Sequence, residues 1–247
     1  AASAGTDHLH HKSLFVAWGD VNGSDNWSEG AGHGRQEHQA FAALESGPVF
    51  GRIAAVNRWV ATDGAPLLDE HRGITLYGLP DGGRLLDLDV RFVATYGPVT
   101  FGDTKEGGIA SIRVVPSMNA DKTGRIVNAY GGTQEDETWG KRAHWCDYSG
   151  PVSGATAGVA IFDNPANFRY PTYWHVRNYG LMTANPFGLS HFTGDTRQNG
   201  AHTIPKDAVF DFRYRLYIHA GNTAEAGVSG RFLDYIAPPT VEIGSDI

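Results

Sequence analysis

Along residues 86–94, LDLDVRFVA, the apolar side chains Leu86, Leu88, Val90 and Phe92 alternate with Asp87, Asp89 and Arg91. A period of two predicts a strand with one buried face. The stretch 210–219 repeats the pattern: Phe210, Phe212, Tyr214, Leu216 and Ile218 share one side, and Asp211, Arg213, Arg215, Tyr217 and His219 the other. Shorter runs at 52–60, 73–77, 109–115 and 159–162 read as strands from their β-branched content and turn flanks. Nothing with helical period exceeds about ten residues. QAFAALESG and LLDEH are the best helical candidates, and each fits a strand equally well. The 32 glycines and 12 prolines break the chain often enough to imply short strands joined by turns. The expected fold is all-β, a large antiparallel β-sandwich formed as one domain over residues 1–247, with functional side chains on long loops or one concave sheet face.

Charge and composition narrow the partners. The net charge is −7 and the 20 lysines and arginines are dispersed, so no basic run is available to neutralise phosphates, and nucleic acid is not an expected partner. No apolar stretch approaches the roughly 18 residues that cross a bilayer, so no membrane is expected either. A soluble protein follows, placed first in the cytoplasm, with secretion left open. The lone Cys146 has no partner for an internal disulfide and reads as a small buried residue.

Chemistry concentrates in a few segments. DHLHHK, residues 7–12, holds three histidines in four positions. If it is extended, His8 and His10 point one way and His11 the other. A metal would then take His8 and His10 and need distant ligands such as His144, His175 or His191. No cofactor is assigned beyond leaving that divalent metal open. FGDTKEGG, residues 101–108, presents Asp103, Lys105 and Glu106 between glycines, as a charged turn or as a carboxylate held ionised by its lysine. ETWGKRAHWCDYSG, residues 137–150, mixes aromatic rings with polar groups, which suits a sugar ring or a core anchored by tryptophan. In YPTYWHVRNYGLMTANPFG, residues 170–188, an extended backbone puts His175, Arg177 and Tyr179 on one face, opposite Trp174 and Val176.

The segments HLHHKSLFVAWGDVNGSDNW, GPVTFGDTKEGG, WGKRAHWCDYSG, GVAIFDNPANFRYPTYWHVRNYGLMTANPFG and FRYRLYIHAG resemble the successive motifs of a bacterial PmoA-like family of unknown function, labelled "methane oxygenase PmoA". The resemblance covers nearly the whole chain. It implies a β-sandwich in a family often encoded beside sugar oxidoreductases. It also implies a further N-terminal portion in relatives, so that early strands are missing here or supplied separately, by a missing segment or by self-association. A weaker likeness, with no residue correspondence, is to the galactose-mutarotase-type supersandwich, where histidine and carboxylate groups act on a pyranose.

Three functions remain open from sequence. The first is a carbohydrate-active enzyme that cleaves or isomerises a glycoside or keto-sugar by acid–base chemistry, acting on a small molecule or oligosaccharide. Glu106 and His175 would move protons, Arg177 would hold the oxygen that gains charge, and His11 would assist. Trp27, Asp20, Asn22, Lys105, Trp145 and Asn185 would line the substrate. Two-carboxylate hydrolysis would pair Glu106 with Asp103 or Asp147. The second is a non-catalytic carbohydrate-binding or accessory protein. The third is a metal-dependent enzyme built on His8 and His10.

Overall fold

The alternating segments become the strands of two antiparallel sheets. The structure, a computed structural model, describes residues 8–240. One sheet has seven strands. Along its main path lie β12 (Tyr173–Arg177), β13 (Leu181–Asn185), β8 (Gly107–Arg113), β1 (Leu14–Val21), β7 (Val99–Phe101) and β14 (His202–Ile204), with β2 (Ser24–Asn26) paired to β1 off that path. The other has eight, in the order β3 (Arg35–Ser46), β4 (Phe50–Val60), β5 (Pro66–Gly78), β6 (Arg84–Val93), β15 (Val209–Ala220), β11 (Ala155–Asp163), β10 (Trp145–Val152) and β9 (Arg125–Asn128). The predicted strands at 52–60, 73–77, 86–94, 109–115, 159–162 and 210–219 all fall within or overlap these elements, and both ambiguous segments resolve as strand, QAFAALESG in β3 and LLDEH in β5. Three short α-helices, α1 (Gln134–Thr138), α2 (Leu189–Thr193) and α3 (Val228–Ile236), and one 3-10 turn at Pro116–Met118 complete the described chain.

The main core fills the space between the sheets. Val16, Trp18, Ile112, Trp174, Val176 and Met182 reach into it from the seven-stranded sheet and Leu88, Val90, Phe92, Phe212, Tyr214 and Leu216 from the eight-stranded one. Burial fades along the row of cross-strand partners Leu88, Ile74, Ile53 and Leu44: Leu88 is 1% exposed, Ile53 46% and Leu44 65%, because the β3 side of the larger sheet is uncovered.

The outward face of β15 departs from its sequence pattern. Tyr217 and His219, on its polar side, are buried, while Ile218 on its apolar side is exposed. α3 lies over that outer face, where Val228 and Phe232 pack with Trp145, Ala160, Phe162 and Tyr217 into a second small core. Beneath it His219 pairs with Asp147 at 3.0 Å, and Thr223 donates to the other Asp147 oxygen at 2.6 Å.

Two glycines permit close packing near the site. A Cβ at Gly107 would stand 2.3 Å from the Trp18 ring, and one at Gly108 2.0 Å from the Thr183 hydroxyl. Gly108→Ala is expected to cost about 1–3 kcal/mol, the usual range for overpacking. Urea unfolding reads this directly, and an unchanged midpoint would mean that the sheet shifts freely to admit the methyl group.

Candidate functional site

Alternation on β12 sends Trp174 and Val176 into the core and puts Tyr173, His175 and Arg177 on the opposite, outer face of the seven-stranded sheet. The same face carries Thr183 and Leu181 from β13, Ser111 and Arg113 from β8, and Phe15 and Ala17 from β1. Ala17, Trp27 and Leu181 form a small apolar patch there with Phe15 and Tyr179 at its margin. Two segments fold over it. One is the turn at residues 8–11, closed by the His11 amide donating to the His8 carbonyl at 3.0 Å. The other is the loop between β7 and β8, whose Glu106 carbonyl accepts from the Gly19 amide at 2.7 Å.

Between them opens a cavity of about 280 Å³. His8, His11 and Tyr179 bound one side, Lys105 and Glu106 a second, and Glu135, His175 and Arg177 the third. His8 stacks on His11 at 4.8 Å and on Tyr179 at 4.9 Å between ring centroids.

Hydrogen bonds fix the protonation states. The Arg113 guanidinium donates to His11 Nδ1 at 3.1 Å, so the proton of a neutral His11 sits on Nε2. That Nε2 is buried and has no hydrogen-bond partner among the described residues. Burial, followed by the neighbouring His10, His8 and Arg113, pushes the His11 pKa down to about 3. His175 Nδ1 donates to the Lys105 carbonyl at 2.7 Å, and its Nε2 accepts from Arg177 Nε at 3.2 Å. Burial is the main reason its pKa falls to about 4, with Arg177 adding to the effect and Glu106 opposing it. Arg177 also bonds one oxygen of Glu135, whose other oxygen accepts from the Asn178 amide at 2.8 Å. Burial alone would raise the Glu106 carboxyl, but its bond to the Lys105 ammonium and the nearby His175 and Arg177 hold it below the ordinary carboxylate range. Glu106 is therefore ionised at neutral pH, and its side chain remains 45% exposed.

Six residues singled out from sequence meet in this cavity: His8, His11, Lys105, Glu106, His175 and Arg177. Trp27 stands beside it, 5.2 Å from the His11 ring. Several expectations need correction. Residues 8–11 form a turn and not a strand, so His8 and His11 stack together instead of pointing apart. His175 has both ring nitrogens engaged, which makes it a positioning group for Arg177 and the Lys105 carbonyl with no nitrogen left for a substrate proton. Trp145 belongs to the small core under α3, on the other sheet. Asp20 accepts from the Gly23 amide, and Asn22 ties its turn to Pro98 and Thr100, so both fasten the end of β1 to the strand beside it. Neither lines the cavity. Asp103 caps the Ser190 and Gly200 amides, and Asp147 is enclosed with His219, so neither pairs with Glu106.

Of the distant ligands in the metal reading, His175 shares the cavity with His8 but has both ring nitrogens engaged, and the other two lie elsewhere. His144 bonds Tyr130 and stacks on Phe232 beneath α3, and His191 is exposed on α2. Among the described residues no group of three or more His, Cys, Asp or Glu side chains is arranged to hold a metal ion.

Asn185 acts through the loop that carries Glu106. Its Nδ2 donates to the carbonyls of Thr104, Lys105 and Gly107 at 3.1–3.2 Å, and its Oδ1 accepts from the Phe187 and Gly188 amides. Asn185→Ala would orphan several buried backbone groups at once. It is expected to cost about 2–4 kcal/mol by that count and to speed amide exchange in the segment 104–107. Exchange as slow as in the wild type would show that other contacts hold the loop.

Three site residues escaped the sequence reading or its assignments. Glu135 arrives on α1, a helix too short to show a period. Tyr179 shares the His175–Arg177 face, yet only the stacked His8 ring makes it a wall. Arg113 left a signal, a lone arginine in the otherwise apolar or small run GGIASIRVV.

The fold and site together define a two-sheet antiparallel sandwich with a small, cation-lined polar pocket on the outer face of its smaller sheet. The chain belongs to the family of unknown function DUF6807, whose model matches residues 2–232. No curated protein matches it. Among solved structures, a GalM/aldose epimerase homologue from C. elegans is similar over 74% of this chain and 70% of its own, at 7% identity and a TM-score of 0.31. The fold is accordingly taken from the two sheets themselves. No described helix is long and apolar enough to cross a membrane.

Proposed function

We propose that this protein is a carbohydrate-active enzyme that takes a glycoside or keto-sugar in the Glu106 pocket and isomerises it or eliminates its substituent by proton transfer. The observation that carries the reading is an ionised, partly exposed Glu106 beside Lys105, in a cavity whose other carboxylate, Glu135, is spent on Arg177 and the Asn178 amide. A single available carboxylate among the described residues does not suit two-carboxylate hydrolysis. It suits abstraction of a proton from a carbon next to a carbonyl.

In a keto-sugar, or a glycoside that carries a ring ketone, Glu106 takes that proton, the C–H electron pair forms a C=C bond to the carbonyl carbon, and the carbonyl π pair moves to oxygen to give the enolate. Lys105 and Arg177 supply the positive charge that favours the enolate over the ketone. Returning the proton to the opposite face or to the neighbouring carbon isomerises the sugar. In elimination the enolate re-forms the carbonyl, the C=C bond shifts towards the next carbon as its C–O bond breaks, and the departing oxygen takes up the proton that Glu106 removed. His11, which lines the cavity, carries a buried Nε2–H donor with no partner among the described residues. The Tyr179 ring on the cavity wall fits the apolar face of a sugar ring.

The test is proton NMR of keto-sugars and glycosides incubated with the protein in D₂O. Deuterium entering the carbon beside the carbonyl, with or without loss of the substituent, is the expected result. Sugar binding without exchange or turnover would instead favour the non-catalytic binding protein.

A further inference from the structure

A second cavity, of about 500 Å³, adjoins the first across the turn at residues 8–11. Its floor is made by Phe15, Ala17 and Trp27 on the outer face of the seven-stranded sheet, and its rim by His10, His33 and the Lys12–Glu29 ion pair. The partition between the two cavities is one ring thick. The His10 and His11 centroids are 4.3 Å apart, and His11 lies 5.2 Å from Trp27 and 5.7 Å from Phe15. His10 feels carboxylates from both sides: Glu106 and Glu29 each favour its protonated form, although burial and the neighbouring His8 keep it below its ordinary value.

Each cavity is lined by a residue that carries a buried polar atom with no hydrogen-bond partner among the described residues. On one side it is His11 Nε2. On the other it is Asn26 Oδ1, on a residue 5% exposed whose Nδ2 is occupied by the Arg35 and Val60 carbonyls. Buried donors and acceptors are nearly always satisfied, by protein, water or ligand. A donor on one side and an acceptor on the other are complementary to hydroxyl groups, which both accept and donate. Size points the same way. Ligand pockets usually hold about 300–1,000 Å³, so the Glu106 cavity by itself suits one small ring, and the pair suits two or more.

We infer that the second cavity is a sugar subsite, and that the substrate is a disaccharide or longer glycoside laid over the His10–His11 turn. Its reacting ring sits beside Glu106 and the adjoining ring lies on the Phe15–Trp27 floor, within reach of Asn26, His33 and Lys12. The inference rests on the carbohydrate reading of the Glu106 pocket and extends it to the group attached to the reacting ring.

The experiment is calorimetric titration of Glu106→Gln protein, in which turnover is blocked. The probes are cellobiose, maltose, lactose and their forms oxidised to a ring ketone, each against the matching methyl monosaccharide. A Lys12→Ala/His33→Ala double substitution in the same background changes only residues outside the main core, and a melting curve checks its fold. Disaccharides binding at least tenfold more tightly than monosaccharides, with that ratio collapsing towards one in the double variant, is the expected result. Equal affinities for both sizes, with a ratio unmoved by the double variant, overturn the subsite and leave the reading of the Glu106 pocket standing. If no sugar of either size binds, both fall together.

Discussion

Glu106→Gln is expected to lower turnover of the responsive sugar by about 100- to 10,000-fold, the range for removing a general base, with substrate affinity largely kept. The amide preserves the shape of the side chain and one acceptor oxygen, so Lys105 keeps a partner. What disappears is the basic oxygen. Because Lys105, His175 and Arg177 hold the Glu106 carboxyl below the ordinary carboxylate range, the acid limb of the kcat/KM profile should fall lower than for an unperturbed glutamate. Arg177→Ala should shift that limb upward by removing a positive charge that favours the ionised carboxylate, a response that a merely structural arginine would not give. Wild-type turnover in the Glu106→Gln enzyme would sink the assignment.

Acid should destabilise the protein through the same pocket. His11 and His175 are neutral when folded, with pKa values near 3 and near 4, and take an ordinary value of about 6.5 when unfolded. Below that value the unfolded chain binds protons that the folded one refuses. Stability is therefore complete above about pH 6.5 and is lost as pH falls towards the folded values. Between pH 7 and pH 5 each histidine costs about 2 kcal/mol, or about 4 kcal/mol together. The charged groups around them are Arg113 for His11, and Arg177, Lys105 and Glu106 for His175. His219 runs in the opposite sense. Burial lowers its proton affinity, but the bond to Asp147 outweighs this and raises it, so its contribution is present at low pH and fades as pH rises through the folded value. Urea unfolding of wild type, His11→Gln and His175→Gln at both pH values separates these effects. Each single substitution should remove about half of the pocket's acid loss, and equal losses in all three proteins would refute the burial account.

Period-two segments were the most legible part of the chain. A half-buried strand must place alternate side chains in the core, so Leu86 to Phe92 and Phe210 to Leu216 declare their faces locally. The same rule put His175 and Arg177 together, and both do line one cavity. It failed at 8–11, where a hydrogen-bonded turn replaces the extended backbone. It also failed at Tyr217 on the polar side of β15, where α3 supplies a second cover that no local pattern records.

Sequence was enough for an all-β sandwich and for six residues of a polar centre, because alternation and the company of His, Arg, Lys and Glu are properties of neighbouring residues. Tertiary structure alone decided which of them meet and what each does. Glu135 reaches Arg177 across 42 positions of chain, and Arg113 reaches His11 across 102. Such pairings fix the tautomers, engage Glu135 and make His175 a holder of other groups. They depend on strand order and on loop closure over the sheet, and both are settled by packing the two sheets around one core.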